Sequence, residues 1–195
     1  MFSLRVRCGV ESISSSSRSV RLRFLSILVP LLAGLCAASQ APDPFATAAR
    51  ATVLLFIRSD CPITNRYAPD LKRIADKFAP DGVAFWLVYP DPAETDGSIQ
   101  KHIAEYQLPG KPLRDPGRTL IRRAHATVAP EAAVFDSGGK LIYHGRIDDR
   151  WIEIGKSRPA PTTHDLEDAI SAVLARRTVA HPETRAIGCS LADLE

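Results

Sequence analysis

The sequence predicts an α/β fold: a three-layer sandwich whose central mixed sheet is flanked by helices. Three observations predict it. Two continuous apolar, β-branched runs, 51–57 and 83–89, have the composition of strands buried on both faces of a parallel sheet. Between them lies a segment with apolar residues at helical spacing, as a parallel crossover requires. Further on, Asp136-Ser-Gly-Gly-Lys140 joins two more strand-like runs as an antiparallel hairpin.

Each element has its own local reason. Ala51-Thr-Val-Leu-Leu-Phe-Ile57 is the first strand, and Arg58-Ser-Asp-Cys61-Pro62 has the marks of a helix start. Ser59 or Asp60 is the expected N-cap and Pro62 falls in the first turn. Ile63, Tyr67, Leu71, Ile74 and Phe78 repeat at helical spacing, and Pro80-Asp-Gly82 stops the helix. Val83–Tyr89 is the second strand, and a second helix spans about 98–107. A short helix is expected over 119–125, after Leu113-Arg-Asp-Pro-Gly117. A strand entered through Pro130 covers 128–135, and Leu141–Ile147 returns beside it. A polar loop over 148–161 leads to a last helix capped by Thr162 or Thr163, with Leu166, Ile170, Val173 and Leu174 on one face. Right-handed crossovers put the N-terminus of the first helix, and Cys61 with it, at the C-terminal edge of the sheet.

Composition narrows the partners. The chain has 195 residues, enough for one domain with a proper core. Its net charge of +3 is local, because 1–41 hold five basic residues and one acidic one. The remaining 20 basic and 21 acidic residues give no excess that would draw a nucleic acid. Residues 1–41 read as a signal peptide and leader: a basic, Ser-rich stretch to Arg23, an apolar run from Phe24 to Ala38, then Ala37, Ala38, Ser39 and Ala41 as small residues for a peptidase. The apolar run is shorter than the roughly 20 residues that span a bilayer. An uncleaved anchor is the alternative, and would be the chain's one membrane contact. The expected organisation is therefore leader 1–41, linker 42–50, domain 51–177 and tail 178–195, with a periplasmic or otherwise exported location.

Export gives the cysteines their meaning. Cys8 and Cys36 lie in the leader, so the mature chain keeps Cys61 and Cys189, and two thiols in an oxidising compartment can pair. The chain from Arg177 to Cys189 extends to roughly 40 Å, enough to reach back across a domain. A structural staple and a cycling redox bond both fit that spacing.

The stretch Val53-Leu-Leu-Phe-Ile-Arg-Ser-Asp-Cys61-Pro-Ile-Thr64-Asn-Arg-Tyr-Ala-Pro69-Asp-Leu71 resembles the thioredoxin superfamily, in which an active cysteine opens the first helix and a kink proline follows eight positions later. Pro130 in Thr127-Val-Ala-Pro-Glu131 is similar to the superfamily's cis-proline. The Asp-Pro-Gly and Phe-Asp-x-Gly-Gly-Lys elements resemble the redoxin branch, grouped with alkyl hydroperoxide reductase and thiol-specific antioxidant proteins. Exported redoxins with tails like Thr184-Arg-Ala-Ile-Gly-Cys189 belong to the same likeness. The resemblance covers 51–177 and implies a thiol oxidoreductase without a cofactor or bound metal.

Two departures qualify it. Thr64 stands where a Cys-x-x-Cys motif has its second cysteine, and Arg58 stands where the peroxiredoxin signature needs Thr or Ser. The implied chemistry then has Cys61 as a poised, reachable nucleophile, its thiolate favoured by the helix N-terminus and by Arg58 and Arg66, and opposed by Asp60. Thr64 is expected to donate its hydroxyl to the sulfur. A cis Pro130 exposes the backbone of Ala129 as a strand edge for substrate. Cys189 resolves the mixed disulfide or sulfenic acid, within the chain or across a dimer as in some peroxiredoxins. Substrates are a protein or small-molecule disulfide or a hydroperoxide, and a thiol reductant completes the cycle. Two further readings stay open: a Cu(I)-binding redoxin using Cys61, Cys189 and a histidine, and a non-catalytic module with a stapled tail. His102, His125, His144, His164 and His181 show no metal spacing and read as surface or loop residues. Gly145-Arg-Ile-Asp-Asp149 with Trp151 reads as a loop near the active edge.

Overall fold

The computed structural model describes residues 42–192 and Leu194, so the leader lies outside the described residues. Strand β1 (Ala51–Phe56) is followed by helix α1 (Pro62–Phe78), β2 (Val83–Tyr89), α2 (Asp96–Tyr106), β3 (Lys111–Arg114), α3 (Thr119–Ala124), β4 (Val128–Ala129), β5 (Glu131–Asp136), β6 (Leu141–Gly145), β7 (Trp151–Glu153), β8 (Lys156–Ser157), α4 (Asp165–Leu174) and β9 (Cys189–Ser190). The central sheet has the order β3-β2-β1-β5-β6, parallel across β1, β2 and β3 and antiparallel across β5 and β6. The expected mixed sheet is present.

Strand periodicity divides the core in two, because successive side chains point to opposite faces. Val53 and Leu55 of β1, Leu87 of β2 and Val134 of β5 pack under α1 and α4 with Tyr67, Leu71, Ile74, Leu166 and Ile170. Leu54, Phe56, Val88, Ala133 and Phe135 face the other way, onto Ile121 and Ala124 of α3 and onto Leu191 and Leu194 of the tail. Each of the large side chains in these layers contributes about 1.5–3 kcal/mol on burial.

The structure corrects several local expectations. Lys111–Arg114 forms an edge strand to which the sequence reading assigns no element, with Leu113 its one buried side chain. The run 128–135 is two strands rather than one, broken at Pro130, and the Ala129–Pro130 bond is cis as the resemblance implies. The N-cap of α1 is Cys61 itself, since Asp60 is drawn into a pair with Arg58. The N-cap of α4 is His164; the backbone N–H groups of Thr162 and Thr163 donate instead to the Asp149 carboxylate. The loop 148–161 contains the β7–β8 hairpin. Among the described residues no helix is long and apolar enough to cross a membrane.

The tail packs as a built part of the fold. Its backbone first runs beside β6, where His144 N–H donates to Pro182 O at 3.0 Å and Thr184 N–H to His144 O at 3.2 Å. It then pairs antiparallel with β4, Cys189 opposite Ala129 and Ser190 opposite Val128. Leu191 N–H donates to Thr127 O at 3.0 Å and its side chain is buried. Two glycines permit this course. A Cβ on Gly145 (φ +142°) would stand 2.2 Å from Thr184 O, and one on Gly188 would stand 2.2 Å from Ala129 O. Neither backbone contact can yield without moving the tail.

Gly188→Ala is therefore expected to undock the tail and lower stability by about 1–3 kcal/mol, the usual cost of overpacking. Gly97→Ala, where a Cβ meets nothing nearer than 3.8 Å, should leave stability unchanged or slightly raised. Thermal melts and limited proteolysis at 178–195 check this; equal melting and cleavage for both variants would refute the docking.

Candidate active site

Cys61 sits between two elements that fix it from opposite sides. From below, it ends β1's connection and caps α1 with extended backbone (φ −87°, ψ 113°), which places it at the N-terminal end of the helix, where N–H groups lack intrahelical partners. No acidic side chain lies in that turn to compete for them. From above, its thiol donates to Ala129 O at 3.0 Å. Because Ala129 also pairs with Cys189 in the β4–β9 ladder, one residue positions both sulfurs. Both cysteines are free thiols here, Cys61 fully buried and Cys189 half-buried.

The electrostatics of the two sulfurs are coupled. Burial is the largest influence on Cys61 and works against its thiolate. The nearby Cys189 thiol, the N–H groups of Thr64 and Cys189 and the Thr64 hydroxyl favour the charge and outweigh it, and the Cys61 pKa lies below the ordinary thiol value. The Thr64 hydroxyl is fully buried and makes no hydrogen bond of good geometry, so its proximity to the sulfur is an electrostatic contact only. For Cys189 the direction is opposite: burial, then its role as donor to Cys61, push it up to about 12. The two sulfurs are thus shifted in opposite directions, Cys61 the more acidic and Cys189 the less.

The sequence-predicted residues converge, with corrections. Cys61, Thr64, Ala129, Pro130 and Cys189 lie together. The expectation of a reachable sulfur is not met in this structure, because Cys61 is 0% exposed beneath the tail. The Ala129 edge read as a substrate strand is occupied by β9. Arg58 bears on Cys189, not Cys61, and its guanidinium donates to Ser190 O at 3.0 Å and to Asp60. Arg66 instead lies over the Trp151 ring, 5.9 Å from its centroid. In the loop 145–149, Arg146 pairs with Asp165, and Asp148 accepts from Tyr67. His102 is buried, not a surface residue, and bridges the Tyr89 hydroxyl and the Asn65 side chain. Among the described residues no group of three His, Cys, Asp or Glu side chains is placed to hold a metal ion, so no histidine joins the two cysteines in such a set.

Three supports were not visible in the sequence. Glu94 is buried, accepts Ser59 N–H at 2.9 Å and so holds the turn before Cys61; burial keeps its pKa raised. Glu131 is 3% exposed and accepts the N–H groups of Thr127 and Val128, fixing β4. Arg118 donates to the carbonyl of Leu191. The partners of Glu94 and Arg118 lie 35 and 73 residues away in sequence, and those of Glu131 are backbone groups just before the cis-proline, for which its residue type gives no sign. A cavity of about 1060 Å³ opens beside the tail, lined by Val128, Ile187 and Gly188 among others.

A thioredoxin-like protein of the redoxin branch is the class that this sheet order and this cysteine, opening the first crossover helix against a cis-proline strand, define. Solved structures agree. The chain is similar to a conserved protein of Geobacillus kaustophilus (27% identity, 73% of this chain and 76% of that one, TM-score 0.64) and to a hypothetical protein of Sinorhizobium meliloti (26% identity, 74% and 80%, TM-score 0.64). It shares the fold of a protein from Chlorobium tepidum assigned as the thiol:disulfide interchange protein DsbE (21% identity, 65% and 82%, TM-score 0.50). No protein of curated function matches. The chain belongs to the AhpC/TSA family, whose model matches residues 44–144.

A thiolate titration followed in the ultraviolet should show one sulfur ionising below the ordinary thiol range and the second not before about pH 12. Cys189→Ala removes the leading donor but not the burial, so the Cys61 midpoint should rise; a fall would overturn the coupling. The two sulfurs act on stability with opposite signs. Cys61 contributes stability that is present at the ordinary thiol pKa and above and is lost as the pH drops through its depressed value. The raised Cys189 contributes stability that is lost as the pH rises from the ordinary thiol pKa towards about 12.

Proposed function

We propose that the protein is an exported thiol–disulfide oxidoreductase whose redox centre is the pair Cys61 and Cys189. The observation that carries the reading is the β4–β9 pairing, which sets Cys189 opposite the residue whose carbonyl accepts the Cys61 thiol. A tail held for structure alone has no need of two adjacent thiols with opposite acidities, whereas a disulfide that forms and breaks needs one sulfur ready as thiolate. Cys61 is the ionised member, Thr64 favours its charge, and Cys189 closes the cycle. Two electrons pass from a dithiol to the disulfide form, or from the dithiol form to a disulfide substrate. Family membership supports thiol redox chemistry in general terms, and the leader-like 1–41 supports export. The family likewise favours a second reading, reduction of a hydroperoxide with Cys61 as the oxidised sulfur.

Mild oxidation of the full chain with diamide should consume both mature thiols and give an intramolecular Cys61–Cys189 bond on peptide mapping. Cys61→Ser or Cys189→Ser should cut turnover of a peptide disulfide by roughly 100-fold or more, since the two sulfurs act as a unit. Single-thiol variants that retain full turnover would sink the pair. Hydrogen peroxide should oxidise the reduced protein no faster than free cysteine; a rate well above that would favour the second reading.

A further inference from the structure

We propose that in the disulfide form the substrate thiolate attacks Cys189, so that the mixed disulfide is carried on the tail and Cys61 is the leaving group. The inference rests on the reading above and reverses the order of attack that the sequence implies. It follows from access. Thiol–disulfide exchange needs the incoming sulfur to approach one sulfur of the bond along the S–S axis, and which sulfur is reached decides the product. Cys61 is 0% exposed, enclosed by Ala129 O, Thr64 and the first turn of α1, and offers no such line. Cys189 is half-buried, and the cavity beside the tail reaches Gly188, its neighbour.

The leaving side is built to match. When the S–S bond breaks, the electron pair stays on Cys61, where the Thr64 N–H and hydroxyl and the open helix N-terminus receive it. A low-pKa sulfur also leaves faster than a high-pKa one. Departure of Cys61 does not free the tail, because Cys189 is fastened on both sides. Before it, Thr184 bonds to β6, to Tyr143 and to Arg146; after it, Leu191 is buried and bonded to Thr127. Two carbonyls, those of Ser190 and Leu191, are also held by Arg58 and Arg118. The mixed disulfide therefore stays over the Cys61 thiolate.

The steps balance. A substrate thiolate forms a bond to Cys189 Sγ while the Cys189–Cys61 bond breaks, leaving Cys61 as thiolate. A second thiolate of the same dithiol substrate then attacks the substrate sulfur, forming the substrate disulfide and releasing Cys189, which takes a proton. The substrate is oxidised by two electrons and the protein ends as the dithiol described here. An external disulfide compound reoxidises it by the same steps in reverse: Cys189 gives its proton to the departing thiolate of that compound as it attacks, and the Cys61 thiolate then displaces the product thiolate from Cys189.

The test uses the full chain oxidised with diamide and freed of reagent. Brief pulses of glutathione, an acid quench, alkylation and peptide mapping locate the adduct, with the distribution extrapolated to zero time to remove migration. The expected result is glutathione on Cys189 and the alkyl tag on Cys61, in about tenfold or greater excess over the reverse, since access selects the sulfur attacked. Glutathione on Cys61, or an even distribution, overturns the inference while leaving the redox pair standing. An oxidised sample without a Cys61–Cys189 bond overturns both.

Discussion

Everything distinctive in this molecule depends on the backbone pairing of Ala129 with Cys189. Ala129 accepts the Cys61 thiol through its carbonyl and is the ladder partner of Cys189, so a single main-chain unit aligns the two sulfurs. The pairing is short, two residues on each strand, and could not hold alone. It is braced from several sides. Glu131 fixes β4 from behind by accepting the N–H groups of Val128 and of Thr127 just before it, and Gly188 lets the chains approach within contact of Ala129 O. Burial of Leu191 anchors the far end in the second half of the core.

The sheet and the first crossover were legible because their signals are local. The 51–57 and 83–89 runs are apolar throughout, and α1 announces itself by its spacing and by Pro62. β3 was hidden because Lys111-Pro-Leu-Arg114 is an edge strand that buries one side chain and carries a proline. Ser59 and Asp60 look like caps by type, but Arg58 claims the Asp60 carboxylate and the Ser59 N–H goes to Glu94. Thr162 and Thr163 mislead for the same reason, their backbone being taken by Asp149. Cys189 was legible as a chemical partner but not as a neighbour. Its placement depends on main-chain bonds and on two glycines whose contacts lie about 40 and 60 residues away in sequence, and no periodicity encodes those.

Arg58 shows how a departure from a family pattern acquires a structural reason. It occupies the position where the peroxiredoxin signature has a hydroxyl side chain, and its guanidinium is committed to Asp60 and to the tail carbonyl of Ser190. The charge that a sequence reading gives to Cys61 is thus spent on Asp60 and on the strand that covers the sulfur. At this position the side chain serves the strand that covers the site and not its nucleophile.

Cys61 and Cys189 stand near opposite ends of the described chain, which gives the proposed bond a thermodynamic reach beyond its chemistry. Closing it would tie a ring of about 130 residues and, in a chain-entropy account, remove disorder from the unfolded ensemble worth roughly 5 kcal/mol. That is comparable to the whole stability of many domains. Oxidation state and resistance to unfolding would then rise and fall together, so that a protein which has just passed on its oxidising equivalents is also the one most open to a protease.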